Sequence, residues 1–85
     1  MTTPHPQPDL TALVRRTWAR VLGHDRFTDD DFYFSVGGNS LGATRVMAAL
    51  GREVGTRLPV RMLFDHQTVT TLVAAVAARL EANAA

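Results

Sequence analysis

The chain has no cysteine and no lysine among its 85 residues. Without cysteine there is no disulfide framework, no cysteine zinc cluster and no cysteine nucleophile. Without lysine there is no Schiff base and no phosphate-loop lysine. Any thiol the chain works with must therefore be brought to it. Base is not in excess either: nine arginines face eight acidic residues, a formal net charge of +1. Phosphate-backbone binding needs a clustered basic surplus, so nucleic acid is not an expected partner. No apolar run approaches the roughly 18 residues of a spanning helix. The start, Met-Thr-Thr-Pro, also lacks a basic segment followed by an apolar one. The expectation is a cytoplasmic chain without a membrane partner. A chain this short buries only roughly 60–65% of its unfolded surface, which allows one domain. Its 46% apolar and 20% charged residues suit a folded core rather than wholesale disorder.

Residues 1–8 hold Pro4, Pro6 and Pro8, which remove helical donors and predict a flexible, extended lead-in. From Asp9, a plausible N-cap, the residues Leu10, Leu13, Val14, Trp18, Val21 and Leu22 recur at helical spacing up to Gly23. That spacing leaves Arg15, Arg16 and Arg20 mainly on the wet side. Residues 24–39 show no helical period and read as a long loop, which the adjacent aromatics Phe32, Tyr33 and Phe34 are expected to pin to the core. Helical spacing resumes from Ser40 to Val54 through Ala43, Val46, Met47 and Leu50, and Gly55 ends it. Pro59 opens a brief helix through Met62, Leu63 and Phe64. Thr68 caps a last helix carrying Val69, Leu72, Val73, Val76 and Leu80, and residues 82–85 are expected to fray. The fold class is all-α: a small bundle of three main helices plus one short helix over residues 9–81. Trp18 and Phe64 are expected in its core.

The stretch from Asp31 to Leu41 carries the chemistry. Gly37 and Gly38 permit positive φ and expose backbone. Ser40 then presents a hydroxyl at a helix start, where free amides and the dipole favour an anion, by about 0.3–1 kcal/mol when exposed. A phosphodiester on Ser40 would sit in that field. The plainer reading makes Ser40 only an N-cap after a glycine turn, and on geometry alone that reading takes the larger share.

The motif Asp31-x-Tyr33-Phe34-x-Val36-Gly37-Gly38-Asn39-Ser40-Leu41 resembles the D-x-F-F-x-L-G-G-x-S-L signature of thiolation, or peptidyl carrier, domains of nonribosomal peptide synthesis. Leu58-Pro59-Val60-Arg61-Met62-Leu63-Phe64-Asp65-His66-Gln67-Thr68-Val69 is similar to the same family's L-P-L-x-x-L-F-x-H-P-T-V segment, at a matching distance downstream. The resemblance covers almost the whole chain and implies an acyl-carrier-like fold without catalytic activity. It implies 4'-phosphopantetheine, derived from coenzyme A, on Ser40, flanked by Gly37, Gly38, Asn39 and Leu41. The arm's thiol would hold an aminoacyl or acyl cargo as a thioester. The implied partners are a phosphopantetheinyl transferase, an adenylation enzyme or domain, and condensation or tailoring enzymes. Tyr33, Val36, Asn39 and Gln67 depart from the family's usual Phe, Leu, His or Asp, and Pro; none removes the serine.

An acyl carrier of polyketide or fatty acid type is the alternative. Such carriers usually show an acidic second helix, whereas residues 40–54 carry Arg45, Arg52 and Glu53. Leu41, off the apolar stripe, is the first candidate for partner docking, with Arg45 one turn on. Leu41 could equally be half-buried against the loop aromatics, and Arg45 a plain solvated charge. Gly38-Asn39-Ser40-Leu41-Gly42 also spells the G-x-S-x-G elbow of a small serine hydrolase, with Asp65 and His66 as conceivable partners. That elbow needs a strand before the serine and a sheet around it, and no run here supplies one. His5, His24 and His66 lack zinc spacing, and His66 is assigned a structural or capping role. Asp29 and Asp30 read as solvated, with Asp31 capping a local turn. The methionine start, the lack of a carrier-flanking domain and the end soon after the last helix give the expectation of a free-standing, monomeric carrier used in trans. An excised domain is the alternative.

Overall fold

The computed structural model describes residues 9–84; the extended lead-in expected at 1–8 lies outside them. Four α-helices follow in order: α1 Leu10–Leu22, α2 Ser40–Val54, α3 Arg61–Asp65 and α4 Val69–Ala84. A single 3-10 turn, Tyr33–Val36, interrupts the long loop between α1 and α2. α1 packs against α2 and α4, and α3 bridges α2 and α4.

The ends of α1 follow from its flanking residues. The Asp9 carboxylate accepts from the Ala12 amide at 3.2 Å, satisfying one of the four donors a helix start leaves free. Gly23 closes it at φ 84°, donating to the Ala19 carbonyl, a left-handed conformation that Cβ disfavours in other residues. Between them Leu13, Val14 and Trp18 are buried. Thr17 is buried too, its hydroxyl donating to the Leu13 carbonyl at 2.8 Å. From α2 come Ala43, Val46, Met47 and Leu50, and from α4 Val69, Leu72 and Val76. Trp18 and Tyr33 are fully buried; each ring removes enough surface from water for about 4–6 kcal/mol of transfer free energy. Thr68 caps α4, its hydroxyl oxygen accepting from the Thr71 amide at 3.1 Å.

Away from Ser40, the structure departs from the sequence expectations at Phe64, Phe27, Arg15 and Asp29. Phe64 is not core: consecutive helical residues point about 100° apart, so with Met62 and Leu63 of α3 turned inward Phe64 faces out. Phe64 is 37% exposed and stacks on Phe34, ring centroids 5.7 Å apart. Phe27 enters the core instead, 5.5 Å from Trp18. Arg15 is half-buried rather than wet. Its guanidinium lies 4.7 Å from the Phe27 ring centre, donates to the Asp29 carboxylate at 2.6 Å and reaches the Phe27 carbonyl at 3.1 Å. Asp29 is thus an ion-pair partner, in a half-exposed pair worth at most about 1 kcal/mol. α4 runs to Ala84, in keeping with alanine's helix propensity.

Candidate functional site

Tyr33 organises the approach to Ser40. Of the three adjacent aromatics it alone is buried; Phe32 is 58% and Phe34 38% exposed. Its ring meets Trp18 edge-on at 5.2 Å and its amide donates to the Gln67 carbonyl at 2.8 Å, which ties the turn to the α3–α4 junction. Its hydroxyl donates to the Asn39 carbonyl at 3.4 Å. Burial raises the Tyr33 phenol above its ordinary value, because the phenolate would lose its hydration. The sign follows: a group whose folded-state pKa is raised contributes stability in full below the unfolded value, and loses it as pH climbs through the folded one. Tyrosinate absorbance from the chain's only tyrosine is therefore expected to appear at higher pH in native than in urea-unfolded protein. Coincident titrations would remove this account.

The Tyr33 ring also explains two glycines. A Cβ on Gly38 would overlap three carbons of the ring, and one on Gly42 would meet the Tyr33 hydroxyl at 2.5 Å. Of the glycines flanking Ser40 (Gly37, Gly38 and Gly42), only Gly37 has positive φ, at 105°. Gly38 thus serves close packing rather than the positive φ read from the sequence. Gly38 and Gly42 are the glycines of the G-x-S-x-G spelling, so that spelling has a packing origin. A 3-10 turn stands where a nucleophile elbow needs a strand, and no strand occurs among the described residues.

Ser40 is exposed and occupies the first position of α2, but it does not cap the helix. Asn39 is the cap: its side-chain oxygen accepts from the Gly42 amide at 2.7 Å, and its carbonyl accepts from the Ala43 amide at 2.9 Å. The expectation of a capping serine is corrected, since the chain enters the helix one residue earlier. With Asn39 in extended conformation, the side-chain oxygen best placed for the free amides belongs to that residue. The Ser40 hydroxyl is thereby not committed to the cap. The Ser40 and Leu41 amides precede the first intrahelical donor and no acidic residue stands in the first turn, so the field at the hydroxyl favours an anion. Leu41 is 62% exposed, not half-buried against the aromatics. Arg45 is exposed one turn further along α2.

His66 does not cap a helix start. Its backbone amide closes α3 by donating to the Met62 and Leu63 carbonyls, at 3.0 and 3.2 Å. Asp31 caps a turn as expected, accepting from the Thr28 amide at 2.8 Å. Asp30 accepts from the Thr70 hydroxyl at 3.3 Å. His24 was not singled out in the sequence, yet it bridges the loop, bonding the Val36 carbonyl at 2.8 Å and the Arg26 amide at 3.0 Å. A lone histidine after a helix end carries no pattern that would have marked it.

The small helical bundle thus braces a turn that leaves Ser40 exposed at the head of α2. A family model described as a phosphopantetheine attachment site matches residues 12–76. Phosphinothricin tripeptide synthetase PhsC of Streptomyces viridochromogenes is 46% identical over 61 residues, covering 72% of this chain and 6% of that synthetase. The chain thus spans a small fraction of the length of that curated relative. The type-II acyl-carrier-protein BlmI from Streptomyces verticillus, involved in bleomycin biosynthesis, superposes with a TM-score of 0.79. The two are 28% identical, over 84% of this chain and 86% of BlmI. The peptidyl carrier protein solved in complex with the phosphopantetheine transferase Sfp and coenzyme A is 33% identical. It has a TM-score of 0.77, over 86% of this chain and 95% of that one. The chain belongs to the phosphopantetheine-attachment family, among its peptidyl carrier proteins, and the acyl-carrier-like all-α fold agrees with that membership. No helix among the described residues is long and apolar enough to cross a membrane.

Proposed function

We propose that Ser40 is the attachment point of the phosphopantetheine arm, and that the chain is a non-catalytic cytoplasmic carrier presenting an aminoacyl or peptidyl cargo to the enzymes of nonribosomal peptide synthesis. The observation that carries this reading is the position of Ser40: exposed, first in α2 and relieved of capping by Asn39. The surroundings fit the group. Gly37 and Gly38 bring no side chain to the approach, and the Ser40 and Leu41 amides favour the phosphodiester charge. When bound, the arm supplies the thiol that this cysteine-free chain lacks. The Ser40 oxygen forms the new bond to the pantetheine-bearing phosphorus of coenzyme A as the pyrophosphate P–O bond breaks; adenosine 3',5'-bisphosphate leaves, and the serine proton goes to a base of the transferase. The decisive experiment is intact mass before and after incubation with coenzyme A and a phosphopantetheinyl transferase. A gain of one phosphopantetheine is expected, and no gain by protein that begins unmodified would sink the reading.

The partners that follow are the transferase, an adenylating enzyme or domain, and condensing or tailoring enzymes. The exposure of Leu41 beside Ser40, with Arg45 one turn on, supports their assignment as docking residues. Leu41→Asp is expected to leave the fold intact, because the side chain is already largely in water, and to slow aminoacyl loading about tenfold or more. Unchanged loading kinetics would remove Leu41 from the interface.

A further inference from the structure

We propose that His24 is a positioning residue for the modification of Ser40: its ring staples the end of α1 to the turn that presents the serine. The inference rests on Ser40 being the modified residue. His24 follows Gly23, the C-cap of α1, so its backbone starts from a fixed point. Nδ1 accepts from the Arg26 amide at 3.0 Å. A ring nitrogen that accepts carries no hydrogen, so in the neutral ring the proton sits on Nε2, which donates to the Val36 carbonyl at 2.8 Å. The ring is further fixed edge-on to Phe27, centroids 6.2 Å apart.

The Val36 carbonyl belongs to the peptide unit that enters the Gly37 turn. The N–H of that same unit donates to the Tyr33 carbonyl, and the Gly38 amide donates to this carbonyl too, at 3.1 Å. The peptide plane is therefore held from both sides, by His24 at oxygen and by Tyr33 at nitrogen. Gly37 turns at φ 105° immediately after it. Glycine has wide freedom at such a position, so the direction in which the chain leaves toward Asn39 and Ser40 depends on how firmly that plane is held. The staple restricts that freedom. Positioning a reacting group in advance raises the rate of the step it takes part in, and small displacements are expensive.

Two substitutions separate the contacts. His24→Gln retains an N–H donor where Nε2 lies and keeps the Val36 bond; His24→Asn retains an acceptor where Nδ1 lies and keeps only the Arg26 bond. His24→Phe preserves ring packing and removes both. The measurements are steady-state transfer of phosphopantetheine with the unmodified carrier as varied substrate, amide hydrogen exchange at Gly37 and Gly38, and urea midpoints. The Asn and Phe variants are expected to lower kcat for transfer roughly tenfold with KM little changed, because Leu41 and Arg45 are untouched, and to speed exchange at both glycines. The Gln variant is expected to behave as wild type in both. A purely structural histidine would order the variants by urea midpoint and leave kcat of the folded protein constant, which overturns the proposal. So does an Asn variant that matches wild type, or a Gln variant no better than Phe. A wild type that accepts no arm overturns the assignment of Ser40, whereas exchange at Gly37, read on the same unmodified protein, judges the staple separately.

Discussion

Ser40→Ala is expected to abolish phosphopantetheine attachment completely while leaving the urea midpoint almost unmoved. The first half follows from chemistry: alanine offers no oxygen to phosphorus. The second follows from the assignment of the cap. Were Ser40 the N-cap, its loss would cost about 0.5–2 kcal/mol. Asn39 holds that role through its 2.7 Å bond to the Gly42 amide, and alanine at the first helical position fits without strain. The bond from the Thr44 hydroxyl to residue 40 uses the backbone carbonyl and survives. A change below about 0.5 kcal/mol is therefore expected, as for surface substitutions generally. Asn39→Ala is the counterpart, losing about 1 kcal/mol while still accepting the arm on Ser40. Intact mass and urea titration of both variants decide the matter. A modified Ser40→Ala protein would move the attachment to another hydroxyl, and a destabilised one would return the cap to Ser40.

The fold was legible in the sequence where burial is periodic. In α1 and α2 the residues at three- and four-residue apolar spacing include those that are buried, Leu13, Val14 and Trp18 and then Ala43, Val46, Met47 and Leu50, and Asp9 and Gly23 mark the ends by chemistry specific to helix termini. The loop was legible only in part. Three adjacent aromatics announce that something is pinned, but only the turn's geometry decides that Tyr33 goes in while Phe32 and Phe34 stay at the surface. Phe27 and the Arg15–Asp29 pair depend on contacts across 12 and 14 residues, and such pairings leave no local trace. Phe64 shows the opposite case: three consecutive apolar residues look like core by composition, yet they span about 200° of the helix and only Met62 and Leu63 face inward. At the site, the motif marks Ser40 through family likeness, while the division of labour between Asn39 as cap and Ser40 as displayed hydroxyl needed the hydrogen bonds.

That division rests on the Tyr33 ring, and a coupling experiment tests the brace directly. Gly38→Ala is expected to destabilise by about 1–3 kcal/mol or more, since its Cβ would overlap ring carbons of Tyr33. The ring cannot retreat, because Trp18 stands edge-on against it at 5.2 Å and both are fully buried. Gly42→Ala meets a different atom, the phenolic oxygen, at 2.5 Å, with Val21 and the Asn39 side chain next at 3.1 and 3.2 Å. Removing that oxygen relieves the second clash and leaves the first intact. Tyr33→Phe alone is expected to cost about 0.5–1.5 kcal/mol for the lost bond to the Asn39 carbonyl. In its presence Gly42→Ala should recover much of its penalty, helped by alanine's propensity advantage over glycine of up to about 1 kcal/mol, while Gly38→Ala should recover none. Urea midpoints for the two double-mutant cycles, followed by Trp18 fluorescence, measure the coupling: large and favourable for residues 33 and 42, near zero for 33 and 38. Equal coupling in both cycles, or a Gly38→Ala variant as stable as wild type, would mean that the ring is not wedged between α1 and the start of α2. The two glycines of the motif would then need another physical reason. If the coupling is found, the aromatic before the glycine turn and the glycines on either side of the serine form one packing unit, with the displayed hydroxyl at its edge.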